Sequence, residues 1–142
     1  MKKVVAGRIL VVDDQPANLR VVGALLSRNG YEVLSAANGE QALAIASETL
    51  PDLILLDAMM PGLDGFETCR RIKAEPSSAD IPVLFMTALT DSEHVVQGFE
   101  AGGIDYVTKP INPEEVLARV ASHLRTARIL QAARAASKPV SL

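Results

Sequence analysis

Short apolar segments alternate with segments of helical periodicity five times along the chain, and this alternation constrains the fold more than any other feature. The first apolar segment, RILVV at residues 8–12, lacks the polar alternation of a strand with one solvated face, so it is typical of a strand covered on both sides. Further strands are predicted at residues 31–35, 53–56, 82–86 and 104–107. Five helices separated in this way predict an α/β fold with a parallel sheet and helices on both of its faces.

The helix boundaries are marked by proline, glycine and short polar residues. Pro16 suits the first turn of a helix that ends near residues 29–30, and a second helix is predicted at residues 40–50. Asp64 and Asp91 are expected to cap the third and fourth helices. Pro113 opens the fifth. Inward-facing positions are predicted at helical spacing: Leu43, Ala46, Phe66, Cys69, Ile72, Val95, Phe99, Val116, Leu117, Val120 and Leu124.

The length and composition favour one folded domain rather than a disordered or membrane-bound chain. The 142 residues are 49% hydrophobic and 22% charged, with a net charge of -3, so nothing in the charge demands a nucleic acid or an anionic membrane as partner. The single cysteine, Cys69, excludes an internal disulfide and favours a reducing compartment. The apolar stretch near the N-terminus is too short and interrupted for a signal peptide. We therefore expect a cytoplasmic protein.

Five polar residues are predicted to lie where strands end. They are Asp13, Asp14, Asp57, Thr87 and Lys109. The carboxyl ends of parallel strands share one edge of the sheet, and ligands bind at that edge in open α/β folds. Carboxylates that meet there repel one another unless a hard cation such as Mg²⁺ binds. A carboxylate also accepts phosphoryl groups, and a lysine suits their charge, so these residues predict a magnesium-dependent phosphoaspartate site.

Four motifs together resemble the receiver domain of bacterial two-component response regulators, including the chemotaxis regulators. They are VVDDQPANLR at residues 11–20, LLDAMMPGLDGFE at 55–67, MTAL at 86–89 and GGIDYVTKPI at 102–111. Any one of these motifs is weak evidence, but their order and spacing are strongly specific. The resemblance covers about residues 7–125. It implies a flavodoxin-like, doubly wound sheet of five parallel strands in the order 2-1-3-4-5 with five helices.

The resemblance also implies a phosphoacceptor and a set of metal ligands. Asp57 matches the phosphoacceptor, and Asp14 and Asp57 match the carboxylates that bind Mg²⁺ directly. Asp13 matches the acid that holds the metal through water. The remaining protein ligand is the backbone carbonyl of Met59, so its side chain is free to vary.

Three further roles follow from the same resemblance. Thr87 and Tyr106 match the pair of residues that switch conformation on phosphorylation. Lys109 matches the phosphate-binding lysine and, with Asp57 and Thr87, completes the catalytic set. The bond from Lys109 to Pro110 is expected to be cis, which is uncommon enough to be a test.

The function implied is that of a switch in a phosphorelay. A sensor histidine kinase or a phosphotransfer protein would phosphorylate Asp57. The face formed by the fourth helix, the fifth strand and the fifth helix would then rearrange to control an output domain or a second receiver copy. The chain would be an enzyme only toward itself, in its own phosphorylation and dephosphorylation. We expect no direct nucleic-acid or membrane binding by this segment.

Several alternatives stay open on the sequence alone. Asp13 and Asp14 could cap a helix, Thr87 could be an ordinary strand-end hydroxyl, and Tyr106 could be only a strand aromatic. A phosphatase of the haloacid-dehalogenase-like group would need a second aspartate where Met59 stands. A flavin-binding module would need a Ser/Thr/Gly-rich loop in place of DDQP, and a receiver without phosphorylation could serve as a scaffold.

The C-terminal segment is predicted to be a helical extension or linker, with the receiver domain at residues 1–125 and the extension at 126–142. From residue 116 onward there are five basic residues and no acidic ones. The fifth helix could run to about Ala136 before Lys138-Pro139 ends it. Either a solvated helix end or a signalling helix that leads to an output domain or pairs with a second copy would fit. The apolar positions are too few to predict a coiled coil.

Overall fold

Five parallel strands form one sheet in the order β2-β1-β3-β4-β5, as seen in a computed structural model that describes residues 6–88 and 91–137. The strands are β1 (Gly7–Val12), β2 (Tyr31–Ala36), β3 (Leu53–Asp57), β4 (Val83–Thr87) and β5 (Asp105–Thr108). The helices are α1 (Pro16–Arg28), α2 (Gly39–Thr49), α3 (Gly65–Ala74), α4 (Ser92–Glu100) and α5 (Pro113–Ser137). Every neighbouring pair of strands is parallel. The predicted fold class and strand order are confirmed.

Each face of the sheet carries its own apolar core. Ile9 and Val11 of β1 point toward α1 and α5, whereas Leu10 and Val12 point toward α2 and α3. The helices complete the two layers with buried residues that include Val22, Leu26, Val116, Val120, Ala42, Ala46, Phe66, Cys69 and Ile72. Because both faces are covered, β1, β3 and β4 are continuous apolar runs in the sequence.

The ends of β3 and β4 lie one residue later than the sequence predicts. The parallel register continues to pair Asp57 with Met86, and Thr87 with Thr108. Asp57 and Thr87 are therefore the last residues of β3 and β4, which confirms the prediction that they lie where these strands end. The parallel ladder fixes the backbone of both residues at the carboxyl edge of the sheet.

The fourth helix differs from the prediction in two respects. Asp91 occupies the N-cap position of α4, but its side chain caps no backbone N–H. It lies instead 2.6 Å from Nδ1 of His94. Phe99 is 50% exposed and is not an inward-facing core residue. Gly98 is the buried residue of α4, since it packs against the ring of Phe85.

The fifth helix extends well past the sheet. Leu124 is its last buried residue. Beyond it, Arg128 donates a hydrogen bond to the carbonyl of Ala6, and Arg134 lies 2.7 Å from Asp80. The predicted stop at Lys138-Pro139, the last residue of the MTAL motif and residues 1–5 lie outside the described residues. No helix within the described part of the chain has the length and apolar character needed to cross a membrane.

Candidate functional site

The turn after β3 holds Asp57 at the carboxyl edge through close backbone packing. The N–H of Gly65, the first residue of α3, donates to the carbonyl of Ala58 at 3.1 Å. A Cβ at Gly65 would lie 2.1 Å from the carbonyl oxygen of Asp57 and 2.7 Å from Cα of Ala58. Only glycine allows the start of α3 to approach the end of β3 this closely. Asp64 caps α3 by accepting from the N–H of Glu67, as predicted.

Three carboxylates converge beside this turn. Asp13, Asp14 and Asp57 each offer one oxygen, and these oxygens all lie within 4.8 Å of one another. Asp13 and Asp57 are buried, whereas Asp14 is more accessible. The residues come from the ends of β1 and β3, which are neighbours in the sheet. The sequence predicts that the three acids meet at one edge of the sheet, and they do so in the structure.

Lys109 brings a cation into this cluster from the loop after β5. Its Nζ donates to Oδ2 of Asp13 at 2.9 Å and lies 3.3 Å from Oδ1 of Asp57. Its backbone N–H donates to the carbonyl of Thr87 at 2.9 Å, which ties the ends of β4 and β5 together. The peptide bond from Lys109 to Pro110 is cis, as expected. One ammonium group thus faces two buried carboxylates.

The charges of the cluster are not balanced by the lysine alone. Burial raises the pKa of Asp57 to about 6, the charge of Lys109 opposes this rise, and the charge of Asp13 adds to it. Burial would lower the pKa of Lys109, but its hydrogen bond to Asp13 and the charge of Asp57 hold that pKa above its usual range. The site therefore keeps an excess of negative charge and would gain from a further cation.

Asp13 is engaged on both of its oxygens. Oδ1 accepts from the backbone N–H of Gln15 at 2.9 Å, and Oδ2 accepts from Lys109 and from Nδ2 of Asn18 at 3.2 Å. One oxygen of Asp13 therefore has the role that the helix-capping alternative predicts, since it anchors the turn before α1. The other oxygen faces the acidic cluster.

Met59 meets the site through its backbone. Its N–H donates to Oδ1 of Asp57 at 3.2 Å, and its side chain is 58% exposed. The side chain therefore takes no part in holding Asp57. The role of the Met59 carbonyl as a metal ligand stays a prediction.

Thr87 and Tyr106 lie close together on the neighbouring strands β4 and β5. Thr87 is buried at the end of β4, and Tyr106 is half-buried on β5 against the core formed with α2 and α3. Both line a cavity of about 20 Å³, with Phe85, His94 and Phe99 among its other walls. A volume of this size holds about one water molecule, so the tyrosine has little free space in this conformation.

The donor set fits a hard divalent cation. It consists of carboxylate oxygens, one of them on the partly accessible Asp14. Burial is the main cause of the raised pKa of Asp57, and the charge of Asp13 adds a repulsion that a cation would relieve. Mg²⁺ prefers such ligands and keeps part of its water shell. A phosphoryl group, which carries its own oxygens, would find Lys109 and the hydroxyl of Thr87 at the same edge.

Sequence reasoning missed two polar contacts near these residues. Asn18 lies in the first turn of α1, and its spacing from Asp13 could have indicated the contact between them. Asp105 on β5 accepts from Arg119 at 2.8 and 3.0 Å and lies 2.8 Å from Nε2 of His123. Burial alone would raise the pKa of Asp105, but the hydrogen bonds from His123, Tyr106 and Arg119 hold it below its usual range. No sequence signal links β5 to α5 in this way.

Comparisons with known proteins agree with this geometry. Residues 9–121 match the family described as the response regulator receiver domain. Over 120 residues the chain is 49% identical to the response regulator PleD of Caulobacter vibrioides, which covers 84% of this chain and 26% of PleD. Over 128 residues it is 48% identical to the DNA-binding transcriptional regulator RpaA of Synechocystis, covering 89% and 53%. The chain thus spans about a quarter of one relative and about half of the other.

Solved structures show the same architecture. The chemotaxis response regulator CheY4 of Vibrio cholerae has a TM-score of 0.79 and 32% identity, covering 85% of this chain and 99% of CheY4. NtrX of Brucella abortus has a TM-score of 0.85 and 26% identity, covering 97% of this chain and 32% of NtrX. With the match over residues 9–121 and the carboxyl-edge site, these similarities show that the chain belongs to the response regulator receiver domain family of two-component systems.

Proposed function

We propose that Asp57 is the phosphoacceptor of this receiver domain and that Mg²⁺ binds beside it. The observation that carries the proposal is the position of Lys109, whose Nζ lies 2.9 Å from Asp13 and 3.3 Å from Asp57. This ammonium group and three converging carboxylates form one site at the end of β3. Asp14, Asp57 and the Met59 carbonyl would hold the metal directly, and Asp13 would hold it through water.

The proposed reaction transfers a phosphoryl group from a histidine of a sensor kinase or phosphotransfer protein. An oxygen of Asp57 bonds to phosphorus as the bond from phosphorus to the donor histidine nitrogen breaks, and that nitrogen keeps the electron pair. When bound, Mg²⁺ supplies positive charge for the phosphoryl oxygens. Lys109 adds a fixed ammonium, and preorganised charge of this kind lowers the barrier most in a partly buried site.

The transfer requires Asp57 to be ionised. Its pKa is raised to about 6, so the carboxylate predominates at neutral pH even without metal. The turn at Gly65 and the N–H of Met59 hold the carboxylate in place. Asp57 therefore needs no general base to act as a nucleophile.

The proposed switch links Thr87 to Tyr106. A phosphoryl group on Asp57 adds about 1.5 to 2 negative charges and strong acceptor oxygens. We propose that the Thr87 hydroxyl moves to donate to one of them. Tyr106 then turns into the space that Thr87 leaves, since the cavity that both residues line has room for about one water molecule and not for the ring. The face formed by α4, β5 and α5 would repack and control an output domain or a second receiver copy.

The proposed catalytic activity is limited to the protein's own phosphorylation and dephosphorylation. Water at the same site would hydrolyse the acyl phosphate, which resets the switch. The phosphatase alternative is weakened because Met59, two residues after the acceptor, offers neither an acid nor a buried side chain. We propose that residues 1–125 form the receiver domain and that residues 126–142 are an extension of it. Location in the cytoplasm stays a prediction.

The test of this proposal is a titration with beryllofluoride, a phosphoryl mimic, in the presence of Mg²⁺. Backbone amide shifts should change around Asp57 and also around Thr87 and Tyr106. The same titration of Asp57→Asn should change neither region. Shifts confined to the acidic cluster would contradict the switch, and no shifts with saturating Mg²⁺ would contradict the site.

A further inference from the structure

Asn18 contacts the acidic cluster from the first turn of α1. Its Nδ2 donates to Oδ2 of Asp13 at 3.2 Å and to Oε1 of Gln15 at 3.1 Å. Both hydrogens of the amide nitrogen are thereby used. Because both neighbouring atoms are acceptors, the amide must present its nitrogen, not its oxygen, to the carboxylate.

Asp13 has no exposed surface, so protein donors rather than solvent determine its orientation. The N–H of Gln15 holds Oδ1, while Lys109 and Asn18 share Oδ2. Lys109 also interacts with a second carboxylate, since its Nζ lies 3.3 Å from Oδ1 of Asp57. Among the described contacts, the side chain of Asn18 donates to Asp13 but to neither Asp14 nor Asp57.

We infer that Asn18 is a positioning residue: it fixes the Asp13 carboxylate in the orientation that holds metal-bound water, and so sets the affinity of the site for Mg²⁺. This inference rests on the proposed function. Without the amide, Lys109 is the remaining side-chain donor described for Oδ2, and the orientation of the carboxylate follows the lysine alone. Groups that orient a ligand set typically change metal affinity by about 10- to 100-fold when removed.

A purely structural role predicts something different. The N-cap of α1, Gln15, makes no side-chain capping bond, so the contacts of Asn18 could merely stabilise the start of the helix. A structural role would lower the stability of the fold and leave Mg²⁺ affinity unchanged. A positioning role changes Mg²⁺ affinity in protein that is fully folded.

The experiment measures Mg²⁺ affinity of the full chain by following amide shifts in Asn18→Leu, which keeps the approximate shape of the side chain and removes its donors. We expect binding to weaken by about tenfold. The Mg²⁺ concentration that half-saturates phosphorylation by acetyl phosphate should rise by the same factor, while most of the rate returns at saturating Mg²⁺. Asn18→Gln restores an amide donor and should recover much of the affinity. Asn18→Ala provides a second donor-free variant with good helix propensity.

Asn29→Leu is the matched control. Asn29 ends the same helix, and its Nδ2 donates to the carbonyl of Leu25 at 2.8 Å, so the same chemical change is made far from the acids. It should leave Mg²⁺ affinity at the wild-type value, whereas Asp14→Ala should abolish most binding. Wild-type Mg²⁺ affinity in folded Asn18→Leu or Asn18→Ala would overturn the role of Asn18, and so would an equal loss of affinity in Asn29→Leu. Neither result would overturn the proposed function. Absence of Mg²⁺ binding by the wild type would instead overturn the proposed function.

Discussion

Nζ of Lys109 lies 3.3 Å from Oδ1 of Asp57, although β5 and β3, which bring them there, are separated in the sheet by β4. The contact is possible because the backbone N–H of Lys109 is held by the carbonyl of Thr87 at the end of β4. The lysine thus reaches across one strand to the acid. Its position joins the ends of β3, β4 and β5 electrostatically, so a change of charge at one strand end affects the others.

Asp57→Asn should stabilise the metal-free protein at neutral pH. Because burial raises the pKa of Asp57 from 3.8 to about 6, the folded state binds a proton more tightly than the unfolded chain. Stability is therefore lost as pH rises from about 4 to about 6, and the neutral amide avoids this loss. We expect a gain of about 1 to 3 kcal/mol in the free energy of unfolding at pH 7.5 in EDTA, measured with urea.

The pH dependence separates this explanation from a general effect of the substitution. At pH 4 Asp57 is protonated in the folded wild type, so the difference in stability between Asp57→Asn and the wild type should be much smaller than at pH 7.5. Mg²⁺ should reduce the difference at pH 7.5 by stabilising the wild type. A gain that is the same at pH 4 and pH 7.5 would contradict a charge effect.

Lys109→Ala should leave the protein folded but weaken the coupling of phosphorylation to the output face. Removing the ammonium leaves two buried carboxylates without their cation, and we expect a loss of about 1 to 3 kcal/mol in metal-free buffer at pH 7.5. Mg²⁺ should recover a larger part of this loss than it adds to the wild type. With beryllofluoride, amide shifts around Tyr106 should be smaller than in the wild type.

Arg70→Ala is the control for loss of a cation. Arg70 pairs with Glu67 on the exposed face of α3, and an exposed pair contributes little to the stability of the fold. It should change neither Mg²⁺ binding nor the shifts around Tyr106. If Lys109→Ala switched as fully as Arg70→Ala, the assigned role of Lys109 would be wrong.

Gly65→Ala should damage the site through the backbone. The new Cβ would lie 2.1 Å from the carbonyl oxygen of Asp57, and neither backbone atom nor helix end can move without displacing the acceptor. We expect a loss of at least about 2 kcal/mol in the free energy of unfolding and much weaker Mg²⁺ binding. Urea unfolding and a metal titration measure the two effects.

Gly62→Ala tests the same loop without the clash. Gly62 has a φ of 75°, but a Cβ there meets no atom within 4 Å. Its substitution should cost about 1 kcal/mol through backbone strain alone and leave Mg²⁺ affinity nearly unchanged. Equal effects of the two substitutions would show that loop strain, not contact with Asp57, explains the role of Gly65.

Much of the fold could be predicted from the sequence because its signals are local. Continuous apolar runs identify strands buried on both faces, and Pro16, Asp64 and Pro113 mark helix starts that the structure confirms. The convergence of Asp13, Asp14 and Asp57 follows from the parallel topology, since the carboxyl ends of all the strands then lie at one edge of the sheet. Strand order came only from the resemblance, because spacing does not determine it.

The remainder depends on rotations and contacts that no local pattern specifies. The exposure of Phe99 reflects how α4 is rotated above Phe85, and a helix of nine residues carries too few apolar positions to predict that rotation. The pairing of Asp91 with His94 replaced a predicted cap because two uses of one carboxylate competed. The contact of Asp105 with Arg119 joins a strand to a helix across a turn, and periodicity within either element cannot reveal it.

A chain cut after Arg125 should fold and bind Mg²⁺ with wild-type affinity. The part of α5 that follows Leu124 is largely exposed and is held by the contact of Arg128 with Ala6 and the exposed pair of Arg134 with Asp80. We expect a loss of no more than about 2 kcal/mol, from fraying at the new helix end and from contacts of low value. Failure of the shortened chain to fold would show that the extension belongs to the receiver domain.

The central claim, that Asp57 accepts a phosphoryl group with the help of Mg²⁺, is tested most directly by the mass of the intact protein after incubation with acetyl phosphate. We predict a gain of one phosphoryl group in the presence of Mg²⁺, and no gain in EDTA or in Asp57→Asn. The same gain in Asp57→Asn would place the acceptor elsewhere. No gain in wild-type protein that binds both Mg²⁺ and acetyl phosphate would contradict the claim.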